Sequence, residues 1–213
     1  METADDNTFA APECASTASA ACTVALVGMP GSGKSSAGAQ LARRLGLAFY
    51  DSDQWIEAQR RQSVSSIFAE LGEAAFRDME AQALRELLRR DGCVLATGGG
   101  AVLRPANRQL LRAHAWVVYL RSSPEQLWRR LRGDVRRPLL QVADPLQRLR
   151  DMHAERDELY RACAHFVVNT HGLSLPMLVC RLHMQLDLAG SRSQRQRHKK
   201  HHATPAAPST QAE

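Results

Sequence analysis

Short apolar runs alternate along this chain with longer stretches of helical period. The runs Thr23 to Val27, Ala48 to Tyr50, Cys93 to Ala96, Trp116 to Leu120 and Phe166 to Val168 have the length and composition expected of fully buried strands. Apolar positions recur at helical spacing in Lys34 to Leu45, Asp53 to Arg60, Ser65 to Leu71 and Phe76 to Arg90. They do so again in Pro105 to Arg112, Pro124 to Arg132, Asp144 to Ala162 and Leu175 to Leu188. Pro105 and Pro124 stand at first helical turns, where no intrahelical partner awaits an N–H. This alternation predicts an α/β domain: a parallel sheet with helices on both faces.

The pattern stops at both ends. Residues 1–21, rich in Ala, Ser and Thr, and residues 191–213, rich in Gln, His, Arg and Pro, hold almost no large apolar side chains and are expected to be disordered tails around one domain, residues 22–190. Gly133 to Ala143 has little periodicity and is expected to be a mobile loop. The chain of 213 residues, 44% hydrophobic and 23% charged, can build an ordinary globular core. No apolar run approaches the ~20 residues of a membrane span. The acidic start, with Glu2, Asp5 and Asp6, is unlike a secretory leader. Five scattered cysteines suggest neither a disulfide framework nor a zinc site, so a cytoplasmic protein is expected.

Charge adds one informative detail. Four acidic residues in the first segment balance the net basic last segment, so the part between carries the whole net charge of +6 and suits anionic ligands. Nearly all of its fixed positive charge is arginine; outside Lys199 and Lys200, the single lysine is Lys34. It lies in Gly28-Met29-Pro30-Gly31-Ser32-Gly33-Lys34-Ser35, which fits G-x-x-x-x-G-K-[ST] between an apolar strand and an amphipathic helix. Such a loop turns its N–H groups inward at a helix start and binds phosphate oxygens. Lys34 would reach the β and γ phosphates, and the Ser35 hydroxyl would face Mg²⁺.

Asp51-Ser52-Asp53 ends the second strand, at the sheet edge where ligands bind. In extended backbone the two carboxylates would point to one side; Asp53 is also a candidate cap for the following helix. Gly98-Gly99-Gly100 follows the third strand and would let a ligand approach the backbone. That strand lacks the terminal aspartate that often binds magnesium in phosphate-loop enzymes, which leaves Asp51 as the substitute. Arg77, Arg130, Arg136, Arg137 and Arg156 are candidate partners for carboxylate or phosphate, although most arginines on a basic surface are simply solvated.

Taken together, the phosphate loop, Asp51-Ser52-Asp53, Phe76-Arg77 with Glu80, Gly98-Gly99-Gly100, Arg137-Pro138-Leu139-Leu140, and Arg156 before Leu159-Tyr160 resemble the shikimate kinase family in order and approximate spacing, over about residues 22 to 189. The resemblance implies a three-layer phosphate-loop kinase fold with a five-stranded parallel sheet, a mobile lid at about 133–143 and a separate helical region for the acceptor. It implies phosphorylation of the 3-hydroxyl of shikimate by ATP, in aromatic amino-acid synthesis. By motif, Gly31, Ser32, Gly33, Lys34, Ser35, Ser36, Arg130 and Arg137 would bind ATP, with Arg130 against adenine. Asp53, Arg77, Gly99, Gly100 and Arg156 would bind shikimate, and Glu80 would orient Arg77. Ser35 and Asp51 would hold a single Mg²⁺ per subunit, and Lys34, Asp53 and Arg137 would be catalytic.

This chain has Glu158 where the family often has a proline, so a different local turn is expected there. The tails have no counterpart in the family pattern, and the one bearing His198, His201 and His202 reads as solvated. A kinase for another acceptor such as gluconate, or a ligand sensor on the same fold, are the competing readings; the set Arg77, Glu80 and Arg156 argues against the first and the retained transfer residues against the second. Nucleic acid is a poor fit, because aromatic residues are only 5% of the chain. A monomer that binds ATP and shikimate, away from membranes, is expected.

Overall fold

The computed structural model describes residues 23–90, 92–132 and 143–201, with side chains described up to residue 190. Arg136, Arg137 and most of the expected lid lie outside the described residues, as do residues 1–22 and the part of the expected C-terminal tail at 202–213.

Five strands, β1 (Val24–Val27), β2 (Ala48–Asp51), β3 (Cys93–Ala96), β4 (Trp116–Arg121) and β5 (Phe166–Asn169), form one parallel sheet in the order β2-β3-β1-β4-β5. Alternate side chains of β1 point to opposite faces. Ala25 and Val27 join Leu84, Leu87, Leu111, Leu127 and Tyr160 on one face; Val24 and Leu26 join Ala37, Leu41, Val179 and Leu182 on the other. The expectation of five fully buried strands fails at β2 and β5. Both are edge strands, each with one neighbour and partly exposed side chains, and strand order is not written in local composition.

The helices are α1 (Lys34–Leu45), α2 (Ser52–Arg60), α3 (Val64–Leu87), α4 (Pro105–His114), α5 (Pro124–Leu131), α6 (Pro145–Cys163) and α7 (Leu175–His201), with a 3₁₀ turn at Ala101–Leu103. Their ends follow local chemistry. Ser123 and Gln126 make a reciprocal capping box on α5, and Asp144 caps α6 through the N–H of Gln147. The two helices expected from Ser65 to Arg90 form one bent element, interrupted at Gly72 (φ 78°, ψ 174°). Helix α6 runs straight through the exposed Glu158, so no turn forms there; without a proline nothing in the sequence breaks it. Helix α7 continues to His201, so residues 191–201 are helical where a disordered tail was expected. Between Gly190 and Pro205 the chain has no breaker and is rich in Arg, Gln and Lys, all good helix formers.

From β1 the chain crosses toward β2, and from β3 it crosses to β4 on the other side of β1. The strand order therefore reverses between β1 and β3, and a crevice opens at their carboxyl ends. The phosphate loop and the triple glycine both emerge there. A third apolar cluster, Ile56, Ile67, Phe76 and Ala83, lies between α2 and α3 and makes a small separate helical layer beside this crevice.

Candidate active site

The phosphate loop forms one wall. Gly33 caps α1 in a left-handed conformation (φ 94°) with open space where a Cβ would stand, so backbone conformation rather than room favours glycine here. Lys34 opens α1 and is largely buried; its Nζ donates to the carbonyls of Gly28 (2.8 Å) and Met29 (3.0 Å). Ser32 Oγ is buried and has no hydrogen-bond partner among the described residues. Ser35 and Ser36 are exposed, and Ser35 Oγ donates to Asp51 Oδ2 at 2.6 Å. From α5, Arg130 Nη1 reaches the carbonyl of Gly31 at a long 3.5 Å, which puts this guanidinium beside the loop.

The acidic pair divides its work differently from the expectation. Asp51, not Asp53, caps α2: its Oδ1 accepts from the N–H groups of Asp53 (3.0 Å) and Gln54 (3.3 Å). Asp53 already lies in the first helical turn, so the shared side of an extended strand does not apply. The helix begins one residue early because Ser52 turns inward, fully buried, and its Oγ accepts from Gly98 N–H at 2.8 Å. Asp53 is thereby turned toward the triple glycine. A Cβ on Gly98 would stand 2.7 Å from Asp53 Oδ1 and collide with Glu80 Oε1.

Around that point the structure gathers an ionic cluster. Arg77 Nη1 donates to Glu80 Oε2 (2.9 Å), while its Nη2 and Nε donate to Glu73 Oε1 (3.0 and 3.2 Å). Its guanidinium packs so closely on the Cα of Gly100 that a side chain there would have to displace it, and it lies 5.4 Å from the Phe76 ring centre. Glu80 is fully buried. Burial pushes its carboxyl up to about 7 against the pull of Arg77, and the nearby charge of Asp53 adds to the rise. Arg156, from α6, is also buried; its Nε lies 3.4 Å from Glu155 Oε2 and has no hydrogen-bond partner among the described residues. The glycine loop touches the phosphate loop directly, since a Cβ on Gly99 would meet Pro30 Cδ at 2.8 Å.

Every expected site residue that the structure describes therefore lies at this crevice or beside it: Gly31, Ser32, Gly33, Lys34, Ser35, Ser36, Asp51 and Arg130 toward the phosphate loop, and Asp53, Arg77, Gly99, Gly100 and Arg156 toward the triple glycine. Sequence reasoning names Ser52, Pro30 and Tyr160 only as members of motifs and gives them no role; the Tyr160 hydroxyl donates to Gly99 O at 2.5 Å. The spacing of Arg156 and Tyr160, one helical turn apart on one face, was the available signal.

Comparison with known proteins decides the family. A family model described as shikimate kinase matches residues 30–185. The shikimate kinase of Paracidovorax citrulli is 52% identical over 170 residues, covering 78% of this chain and 93% of that relative. The chain belongs to the shikimate kinase family. The shikimate kinase of Burkholderia pseudomallei is 51% identical over 167 residues, covering 78% of this chain and 91% of that relative. Among solved structures, the shikimate kinase from Acinetobacter baumannii in complex with shikimate superposes with a TM-score of 0.76 at 41% identity, covering 79% of this chain and 94% of that one. As a member of the shikimate kinase family the chain is an ATP-using transferase of aromatic amino-acid synthesis, which sets aside the readings of a gluconate kinase and of a ligand sensor. The five-stranded order β2-β3-β1-β4-β5 is that of the family fold. No helix among the described residues is long and apolar enough to cross a membrane.

Proposed function

We propose that this crevice transfers the γ-phosphoryl group of MgATP to the 3-hydroxyl of shikimate, with the phosphate loop holding ATP and the glycine–arginine side holding the acceptor. The observation that carries the reading is the cluster of Arg77, Glu80, Asp53 and Arg156 around Gly98-Gly99-Gly100, directly beside a phosphate loop. Shikimate has one ionised group, its carboxylate. Two guanidiniums, one buried and one mostly so, are the natural partners for it. Asp53 then remains for the accepting hydroxyl.

In the transfer, the hydroxyl oxygen bonds to the γ-phosphorus as the bond to the β–γ bridging oxygen breaks, the hydroxyl proton passes to Asp53, and ADP leaves. The transition state is loose, so position and charge matter more than proton abstraction. Lys34 faces the developing negative charge, Ser32 and the N–H groups at the start of α1 hold phosphate oxygens, and Ser36 extends that set. The buried, unpartnered Ser32 hydroxyl supports this, because buried polar groups are nearly always satisfied. Arg137 would close over the phosphates, and Arg130 would lie against adenine.

Mg²⁺ fits the donors present: Ser35 Oγ and Asp51 Oδ2 are adjacent hard oxygen ligands, and no cluster of three metal-binding side chains exists among the described residues. Such a partial set suits an ion that keeps waters and substrate phosphates as its other ligands. When bound, it would neutralise phosphate charge. Each subunit would hold one ion, and the protein would act as a monomer. Free thiols at Cys93, Cys163 and Cys180 suit a reducing cytoplasm. Neither nucleic acid nor membrane is a proposed partner.

The test is ADP release with MgATP in the presence of shikimate, gluconate, nucleoside monophosphates or no acceptor. Saturable turnover with shikimate alone, at roughly 1 to 100 per second, is expected; turnover that prefers another acceptor overturns the proposal.

A further inference from the structure

The triple-glycine loop is held peptide by peptide. Gly98 N–H donates to Ser52 Oγ (2.8 Å), Gly98 O accepts from Ala101 N–H (3.2 Å), and Gly100 O accepts from Leu103 N–H (2.9 Å). These ties come from α2 and from the 3₁₀ turn that follows the loop. The peptide between Gly99 and Gly100 is different: its tie is to a side chain of α6, the hydroxyl of Tyr160 on Gly99 O at 2.5 Å. In a planar trans peptide the C=O and the next N–H point in opposite directions. Anchoring Gly99 O to Tyr160 therefore aims the N–H of Gly100 away from Tyr160. No hydrogen bond between described residues uses the N–H of Gly99 or Gly100, so both remain available to a ligand.

We propose that Tyr160 is a positioning residue for the acceptor, whose hydroxyl fixes the Gly99–Gly100 peptide and thereby aims the Gly100 N–H at bound shikimate. The inference rests on the reading above that Gly100 contacts the acceptor. Glycines are what make the clamp necessary: they lower the barrier to a peptide flip as much as they permit close approach.

The clamp is itself braced. The Tyr160 ring is fully buried and stacks on Tyr119 at 4.9 Å between centres and 24° between planes. Tyr119 OH donates to Asp157 Oδ1 at 2.7 Å, and Asp157 also accepts from Arg121 Nε (3.2 Å) and Arg161 Nε (2.7 Å). Burial raises the phenol pKa of Tyr160, which keeps it a hydrogen-bond donor at any working pH. Arg156 lies one turn earlier on the same helix face, so a single rigid element would present both a cation for the acceptor and the clamp on the loop.

Tyr160→Phe removes the hydroxyl and keeps the stack. Its shikimate KM is expected to rise about tenfold, equal to ~1.4 kcal/mol and in keeping with one lost hydrogen bond, while the ATP KM stays at the wild-type value. The Gly100 amide should show the largest ¹⁵N shift change in the loop, because its nitrogen shares the released peptide. An unchanged shikimate KM in Tyr160→Phe beside a raised one in Arg156→Ala would overturn the clamp and leave the function standing. Unchanged values in both would overturn the acceptor site itself. Equal rises in the shikimate and ATP constants would show general disturbance and also overturn the clamp. Should the variant fail to fold, the wild-type protein decides: the Tyr160 hydroxyl proton is expected as a slowly exchanging downfield resonance, and a freely exchanging hydroxyl contradicts the proposal.

Discussion

The two walls of the crevice are built by opposite strategies. The phosphate loop is one contiguous segment, Gly28 to Ser35, whose donors are mostly backbone and whose geometry is set by positive-φ glycines and by Lys34 folding back on Gly28 and Met29. The wall proposed for the acceptor draws scattered residues from α2, α3, the glycine loop and α6, and joins them through a buried ionic cluster. The first wall forms wherever its short sequence follows a strand. The second exists only once the whole fold has closed. Damage to the phosphate wall should therefore be local and chemical, whereas damage to the acceptor wall should spread through shared partners.

The largest effect is expected on the phosphate side. Lys34→Met should lower kcat by about a thousandfold or more, as loss of a positioned charge on a transferring phosphoryl group does. Its shikimate affinity should remain close to wild type; single-turnover rates and shikimate titrations check both points. Next comes Arg156→Ala, which should raise the shikimate KM by roughly tenfold to a hundredfold, the range for lost hydrogen bonds to a charged group, with the ATP KM unchanged. A change confined to the ATP constant would erase the division between the walls.

A smaller effect concerns pH. The Glu80 carboxyl ordinarily titrates at 4.5, but burial first of all, opposed by Arg77 and reinforced by Asp53, moves it to about 7. Because the folded value is the higher one, the stabilisation from protonated Glu80 is fully present below about pH 4.5 and is lost as pH rises through about 7. Ionised Glu80 is also the form that pairs fully with Arg77 at 2.9 Å. The acceptor site should thus tighten as the group's contribution to stability disappears. Shikimate KM should fall severalfold between about pH 6 and about pH 8, and thermal stability should lose its Glu80-dependent slope in Glu80→Gln. A wild-type pH profile that persists in Glu80→Gln would assign the titration to another group.

This contrast also explains what the sequence could reveal. The phosphate loop was legible to the residue because its chemistry is local. The strand positions were legible too, but not that β2 and β5 are edges, since order across a sheet depends on pairing between distant segments. Asp51 and Asp53 were recognised, yet their roles as cap and as neighbour of Gly98 depend on Ser52 turning inward to Gly98 N–H. Arg77 and Arg156 stood among several candidate arginines, and only the resemblance gave them a role; nothing in their local sequence separates them from solvated arginines. Tyr160 was visible as part of a motif, but its hydroxyl finds Gly99 across 61 positions of chain. Helix α7 runs past its expected end because scarcity of apolar residues does not by itself exclude helical backbone, which also depends on propensity and the absence of breakers.

The measurement that bears most directly on the two-wall account is calorimetric titration of shikimate into the Lys34→Met and Arg156→Ala proteins. The account predicts near wild-type affinity in Lys34→Met and a loss of at least tenfold in Arg156→Ala, in keeping with hydrogen bonds to a charged group. Weakened binding in Lys34→Met with wild-type binding in Arg156→Ala would contradict it.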